Sequence, residues 1–177
     1  ILKDNPSLSL SLRSQFIPAT SYTYTMQKAL DDVGDSRLWW RTSVKEAGNL
    51  IKGTTMLFGH KFNETNKILG VPYAQFVRLS SEARFTRQMT RTQGFATRLA
   101  VGAIYSFGNS RIAPYTEQFF IGGANSIRAF TVRSLGPGRF RERGASTSYS
   151  FMDHVGEFKL ELNGEYRYKL TPSLELA

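Results

Sequence analysis

The 177-residue sequence contains no cysteine, which excludes a disulfide framework, a thiolate metal site and a cysteine nucleophile. It has only two histidines, His60 and His154, and neither stands at metal-ligand spacing from another candidate. His154 follows Asp153, but no serine lies in a nucleophile-elbow context. The Gly122-Gly123 pair is not followed by Gly-Lys-Ser/Thr, so a phosphate loop is excluded as well. The sequence therefore points to no enzyme and no cofactor.

Long apolar runs are also missing. No stretch approaches the 18 or so residues that a transmembrane helix needs. A membrane β-barrel escapes that test, because its strands alternate and never show a continuous apolar run. No basic-then-apolar leader opens the chain, which begins at Ile1 and stops at Ala177 inside an alternating stretch. The expectation is a segment of a longer protein.

What is present is period-two alternation. Leu8, Leu10 and Leu12 alternate with serines and Arg13; Tyr22, Tyr24 and Met26 with Ser21, Thr23 and Thr25; Leu38, Trp40, Thr42 and Val44 with Trp39, Arg41, Ser43 and Lys45. Three longer segments follow. Val77, Leu79, Ala83, Phe85 and Met89 oppose Arg78, Ser80, Glu82, Arg84 and Gln88. Phe95, Leu99, Val101, Ala103, Tyr105 and Phe107 oppose Arg98, Ala100, Gly102 and Ser106. Phe158, Leu160, Leu162, Tyr166, Tyr168 and Leu170 oppose Glu157, Lys159, Glu161, Asn163, Glu165, Arg167 and Lys169. A seventh segment begins at Leu174.

Alternate side chains of a strand stand on opposite faces of its sheet. Each strand thus has one greasy face and one polar, often charged, face. A soluble sandwich would pack the greasy face inward. Strand length favours a membrane barrel, since soluble strands average about 5–6 residues. So do the aromatics near strand ends, Trp39, Trp40, Tyr73, Tyr105, Phe107, Tyr166 and Tyr168, which resemble interfacial girdles.

Connections alternate in length. Residues 31–36, 90–93 and 171–173 are short turns, whereas 48–72 and 108–149 are long. Outer-membrane barrels place short turns in the periplasm and long loops outside the cell. The longer loop carries Phe119, Phe120, Ile121 and Phe130, too apolar to leave in water, so it is expected to fold back into the lumen.

That loop reads Phe119-Phe120-Ile121-Gly122-Gly123-Ala124-Asn125-Ser126-Ile127-Arg128-Ala129-Phe130, then Leu135-Gly136-Pro137-Gly138. It resembles the sixth extracellular loop of the BamA/TamA superfamily of outer-membrane assembly factors. There the pattern is two aromatics, a Gly-Gly pair, a Ser and an aliphatic-Arg-Gly-aromatic tetrad. Gln15-Phe16-Ile17-Pro18 and Leu38-Trp39-Trp40 are similar to Bacteroidetes members. The match departs from the pattern at Ala129, where the family has Gly, which suggests a negative φ or looser neighbours here.

The resemblance implies an all-β fold, an antiparallel transmembrane β-barrel of sixteen strands. Residues 1–177 would be about six strands of that one barrel domain, without its periplasmic domains and its first and last strands. It implies Phe120, Gly122, Gly123, Ser126, Arg128 and Phe130 as the lumen-plugging motif, and Glu165 as the ion-pair partner of Arg128. An arginine in a barrel interior cannot shed its charge and needs such a carboxylate, here in a bidentate pair. The implied work is insertion of other barrels into the bacterial outer membrane. The implied partners are lipid and lipopolysaccharide, client outer-membrane proteins and accessory assembly lipoproteins, with no nucleic acid. A two-partner-secretion transporter shares the loop motif and is the first alternative.

The net charge of +9, from 23 basic and 14 acidic residues, admits a further alternative of another class, a soluble basic β-domain that binds polyanions or nucleic acid. Stacking platforms for bases would need aromatics on the basic face, and here they lie mostly opposite it. Arg133, Arg139, Arg141 and Arg143 form a basic run that reads as a solvated stretch or a contact for acidic groups or lipopolysaccharide phosphates.

Overall fold

The computed structural model describes residues 15–49, 53, 67–68, 71–136, 138, 154–171 and 174–176. The expected strand around Leu8, together with His60, Arg139, Arg141 and Arg143, lies outside them.

The described elements are strands β1 (Ala19–Ala29), β2 (Ser36–Ala47), β3 (Lys67–Ile68), β4 (Val71–Pro72), β5 (Phe76–Gln88), β6 (Gln93–Ser106), β7 (Phe158–Thr171) and β8 (Leu174–Leu176), with one 3₁₀ turn at Tyr115–Glu117. Six form one antiparallel sheet in the order β1-β2-β5-β6-β7-β8, and β3 and β4 pair separately. The sheet is a meander, since each strand lies beside its predecessor once the β3–β4 pair is set aside. Fold class and strand placement follow the alternation closely. The long connection runs on to β7 at Phe158, beyond the expected end near 149.

Register explains the two faces. Tyr22, Val44, Leu79, Ala103 and Phe158 lie side by side across five strands. Met26, Trp40, Ala83, Leu99 and Leu162 form a parallel row. This face is largely exposed: Leu162 is 74% accessible, its neighbour on the same face Leu160 60% and Leu99 41%. An apolar face this wide is not a water surface. Its height agrees with lipid. From Phe95 to Tyr105 the outward residues span about 33 Å along the strand, or roughly 25 Å of barrel height at the usual tilt.

The middle of this face holds a polar seam whose groups satisfy one another. Trp40 Nε1 donates to Ser81 Oγ at 2.9 Å, and the Thr42 hydroxyl lies 2.9 Å from the same oxygen. Tyr24 packs edge-on against Trp40. No hydroxyl here needs water, which hydrocarbon could not supply.

Two of the presumed girdle aromatics are elsewhere. Trp39 stands on the charged face, between the guanidinium groups of Arg41 and Arg84 at 5.1 and 4.8 Å from its ring centroid. Parity puts it there, because Trp40 takes the outward place. Tyr73 is buried where residues 15–18, 73–75 and 107–110 meet. Tyr105, Tyr166 and Tyr168 do remain outward near strand ends.

At this loop end of the sheet Gln75 ties the segment before β5 to residues 107–110 by three hydrogen bonds. Its amide donates to Ser110 Oγ, its carbonyl accepts from Phe107, and its side-chain oxygen accepts from the Asn109 amide. Phe76, Ala47, Ala74, Ile104, Ala113 and Phe119 form the small buried cluster beneath.

A charge placed on the outward face discriminates lipid from water. Leu162→Arg in the full-length protein, folded in bilayers, should lower unfolding stability by roughly 2–4 kcal/mol at mid-depth in hydrocarbon. An exposed surface site in water would register within about 0.5 kcal/mol in the same denaturant titration.

Candidate functional site

The connection after β6 returns across the charged face of the sheet, and that seat is the candidate site. Two devices hold it. The first is steric. The tip of the Phe119 ring rests on Gly102 of β6, so closely that any Cβ at 102 would collide with it. The Arg78 guanidinium lies over the ring, 4.4 Å from its centroid. Phe119 and Gly156 exchange two backbone hydrogen bonds of 2.8 Å, so the loop makes a short antiparallel bridge beside the sheet.

The second device is a charged network. Glu82 Oε1 accepts from both Arg84 Nε and Arg98 Nε at 2.7 Å. Arg84 and Arg98 are directly opposite one another across β5 and β6, where like charges repel. The shared carboxylate relieves this. Arg98 Nη1 goes on to Glu161 Oε1 at 2.8 Å, and Lys159 Nζ reaches Glu161 Oε2 at 3.0 Å. The Glu161 side chain is only 2% exposed.

The loop is hung on this network. Ser126 Oγ donates to Glu161 Oε2 at 2.8 Å and accepts from the Gly122 amide at 3.1 Å. Arg98 Nη1 donates to the Asn125 carbonyl at 2.6 Å, and Asn163 Nδ2 to that of Ser126 at 3.3 Å. Gly122 and Gly123 make the bend possible. Both have positive φ, 103° and 95°, and a Cβ at 122 would strike the Thr131 carbonyl.

The other motif residues are placed as follows. Phe120 is partly exposed, with the Arg133 guanidinium 5.0 Å from its ring centroid and also over Tyr115. Arg133 carries φ +62°, the single positive value among described non-glycine residues. Ala129 therefore keeps a negative φ, in the turn closed by the Phe130 amide on the Ile127 carbonyl at 3.1 Å. A Gly is not required there. Phe130 is partly exposed.

Arg128 and Glu165 do approach one another, with Nη2 to Oε2 at 4.0 Å. This is one long contact rather than a bidentate pair, and the Arg128 side chain is 76% exposed. Arg167 Nε holds the other Glu165 oxygen at 2.6 Å. The firm attachment thus passes through Ser126 and Asn125 to Glu161 and Arg98. Glu82, Arg98, Gly102 and Glu161 are residues that sequence reasoning did not single out for the site, and Phe119 was read there only as an apolar residue of the loop. Among the described residues no three His, Asp or Glu side chains are grouped to hold a metal ion.

A sheet with one exposed apolar face and one charged face, on which a long loop is seated, has the build of a membrane β-barrel wall. The chain belongs to the Omp85 superfamily, whose domain model matches residues 47–176. This is the superfamily that the loop motif resembled, a β-barrel family of outer-membrane protein insertion and transport. No curated protein matches the chain.

The two ion pairs should differ sharply when broken. Glu161→Gln removes a buried carboxylate, takes from Lys159 its carboxylate partner and leaves Arg98 with Glu82 alone, costing roughly 3 kcal/mol; Glu165→Gln should cost under about 1 kcal/mol. Amide hydrogen exchange of 119–130 should rise strongly in the first variant and little in the second. Equal effects would contradict this ranking.

Proposed function

We propose that this chain is wall and plug of an outer-membrane factor that folds and inserts other barrel proteins. The observation that carries the reading is the two-sided sheet, with exposed leucines outside and the Ser126–Glu161 attachment inside. A wall of six strands is too narrow to close around such a loop. The reading therefore takes these strands as part of a larger even-numbered barrel, sixteen-stranded as in the family, preceded by periplasmic domains. Short turns then face the periplasm and the long loop starts outside the cell.

No catalytic group is required for this work. A client strand leaves water for lipid, and burial of its apolar face supplies the free energy. The wall's part is to stay intact, and the loop's part is to keep the lumen filled. Clients, lipopolysaccharide contacts and accessory lipoproteins belong to the same proposal.

The exposed, singly bonded Arg128 supports the polypeptide-transporter alternative. Leaving a pore would then require release of the Ser126–Glu161 and Arg98–Asn125 bonds, with little further cost from Arg128 itself. The experiment uses the full-length protein in liposomes, mixed with a denatured unrelated barrel protein. Folding of that client is followed by its heat-modifiable gel mobility. Insertion predicts several-fold faster folding than in protein-free liposomes. No acceleration, together with large single-channel conductance, would transfer the chain to the transporter reading.

A further inference from the structure

Two arginines on the charged face are unused by the network described above. Arg41 of β2 and Arg78 of β5 line a cavity of about 240 Å³ between the wall and Phe119 of the loop. Its cationic lining is Arg41, Arg78, Arg98 and Lys159, and its acidic lining is Glu82. Glu82 is occupied by Arg84 and Arg98, and the adjacent Glu161 by Arg98 and Lys159. Arg41 stands opposite Glu82 in register, yet among the described residues neither Arg41 nor Arg78 has a carboxylate oxygen within 4.0 Å. Their neighbours are aromatic, Trp39 under Arg41 and Phe119 under Arg78. The Nε–H of Arg78 is buried without an acceptor.

A guanidinium cannot become neutral to escape this position. A ring face attracts it, but offers nothing to the N–H groups at its edge. A buried N–H without an acceptor is costly, more so on a charged group. A small anion would complete the arrangement. Its shape follows from the donors. Arg41 approaches from β2, Arg78 and the Ser80 hydroxyl from β5, and Lys159 from β7. A carboxylate presents two coplanar oxygens suited to a single fork. Donors arriving from three strands suit an anion with oxygens in several directions.

We propose that this cavity binds a tetrahedral oxyanion of the phosphate class, drawn from the aqueous side. The cavity lies on the face opposite the exposed leucines, so a lipid headgroup would have to cross the wall to fill it. This last step rests on the apolar face meeting lipid, and not on whether the barrel inserts or transports its clients. Bound there, the anion bridges wall and loop beside Phe119 and adds a third tie to the two already described.

The test is isothermal titration of inorganic phosphate into the full-length protein in detergent micelles, at constant ionic strength made up with chloride. Parallel arms use acetate, and micelles doped with a short-chain phosphatidic acid. Saturable phosphate binding is expected, weakened about tenfold by Arg78→Gln and by Arg41→Gln, the weight of one charge-assisted hydrogen bond. Arg87→Gln, at an exposed position outside the cavity, should leave it unchanged. Arg78→Lys, which keeps the charge and loses the fork, should recover part of the affinity. Heat-modifiable mobility checks that each variant is folded, and Arg41→Gln carries the test if Arg78→Gln does not fold. Absence of phosphate binding, binding insensitive to the cavity variants, or equal binding of acetate or the lipid phosphate would overturn the proposal. Client folding in liposomes is a separate readout, so the two ideas can fail independently.

Discussion

The architecture turns on one carboxylate. Glu161 sits almost wholly out of water, on the charged side of a sheet whose other side is apolar. Isolated there, a negative charge would be prohibitively expensive. It is tolerable because Arg98, Lys159 and the Ser126 hydroxyl surround it. Two of these come from the wall and one from the loop. The same electrostatic requirement that keeps the acid ionised therefore fixes the loop's position. Glu82 extends the arrangement by separating Arg84 from Arg98. Residues from β5, β6, β7 and the loop thus share a single interdependent cluster, and changes within it will not be additive.

Much of the fold was readable from period two alone. Leu99, Val101, Leu160 and Leu162 declare their face in any alternating register, and β5, β6 and β7 fall within a few residues of where alternation puts them. Parity also corrects an error of composition. Counting Trp39 among the girdle aromatics followed residue type, whereas its place next to Trp40 obliges it to face the guanidinium groups. Tyr73 failed differently. It is held by backbone contacts among loop segments, and no periodic signal marks those.

The site was legible in outline and not in its contacts. The motif located the loop, and the Gly122-Gly123 bend followed from chemistry that glycine alone permits. The principal attachment was not foreseen, because it depends on cross-strand register. The short turn between β5 and β6 fixes one half, setting Glu82 opposite Ala100 and diagonal to Arg98. The other half requires β7, which enters only after some fifty residues of intervening chain, and no local rule sets such a register. Gly102 illustrates the same limit. A glycine within a strand announces a close approach, but only coordinates reveal that Phe119 makes it.

The hydroxyl seam of Trp40, Thr42 and Ser81 has a mechanical consequence. Along most of a barrel wall, neighbouring strands are joined through their backbones. Here side chains add a rivet at mid-depth between β2 and β5, in a medium that offers no substitute partner once it is pulled apart. Strain on the barrel will consequently be relieved at other joints first. The β7–β8 ladder, by contrast, shifts register between Lys169 and Thr171, so its backbone pairing is interrupted where the β2–β5 pairing is reinforced.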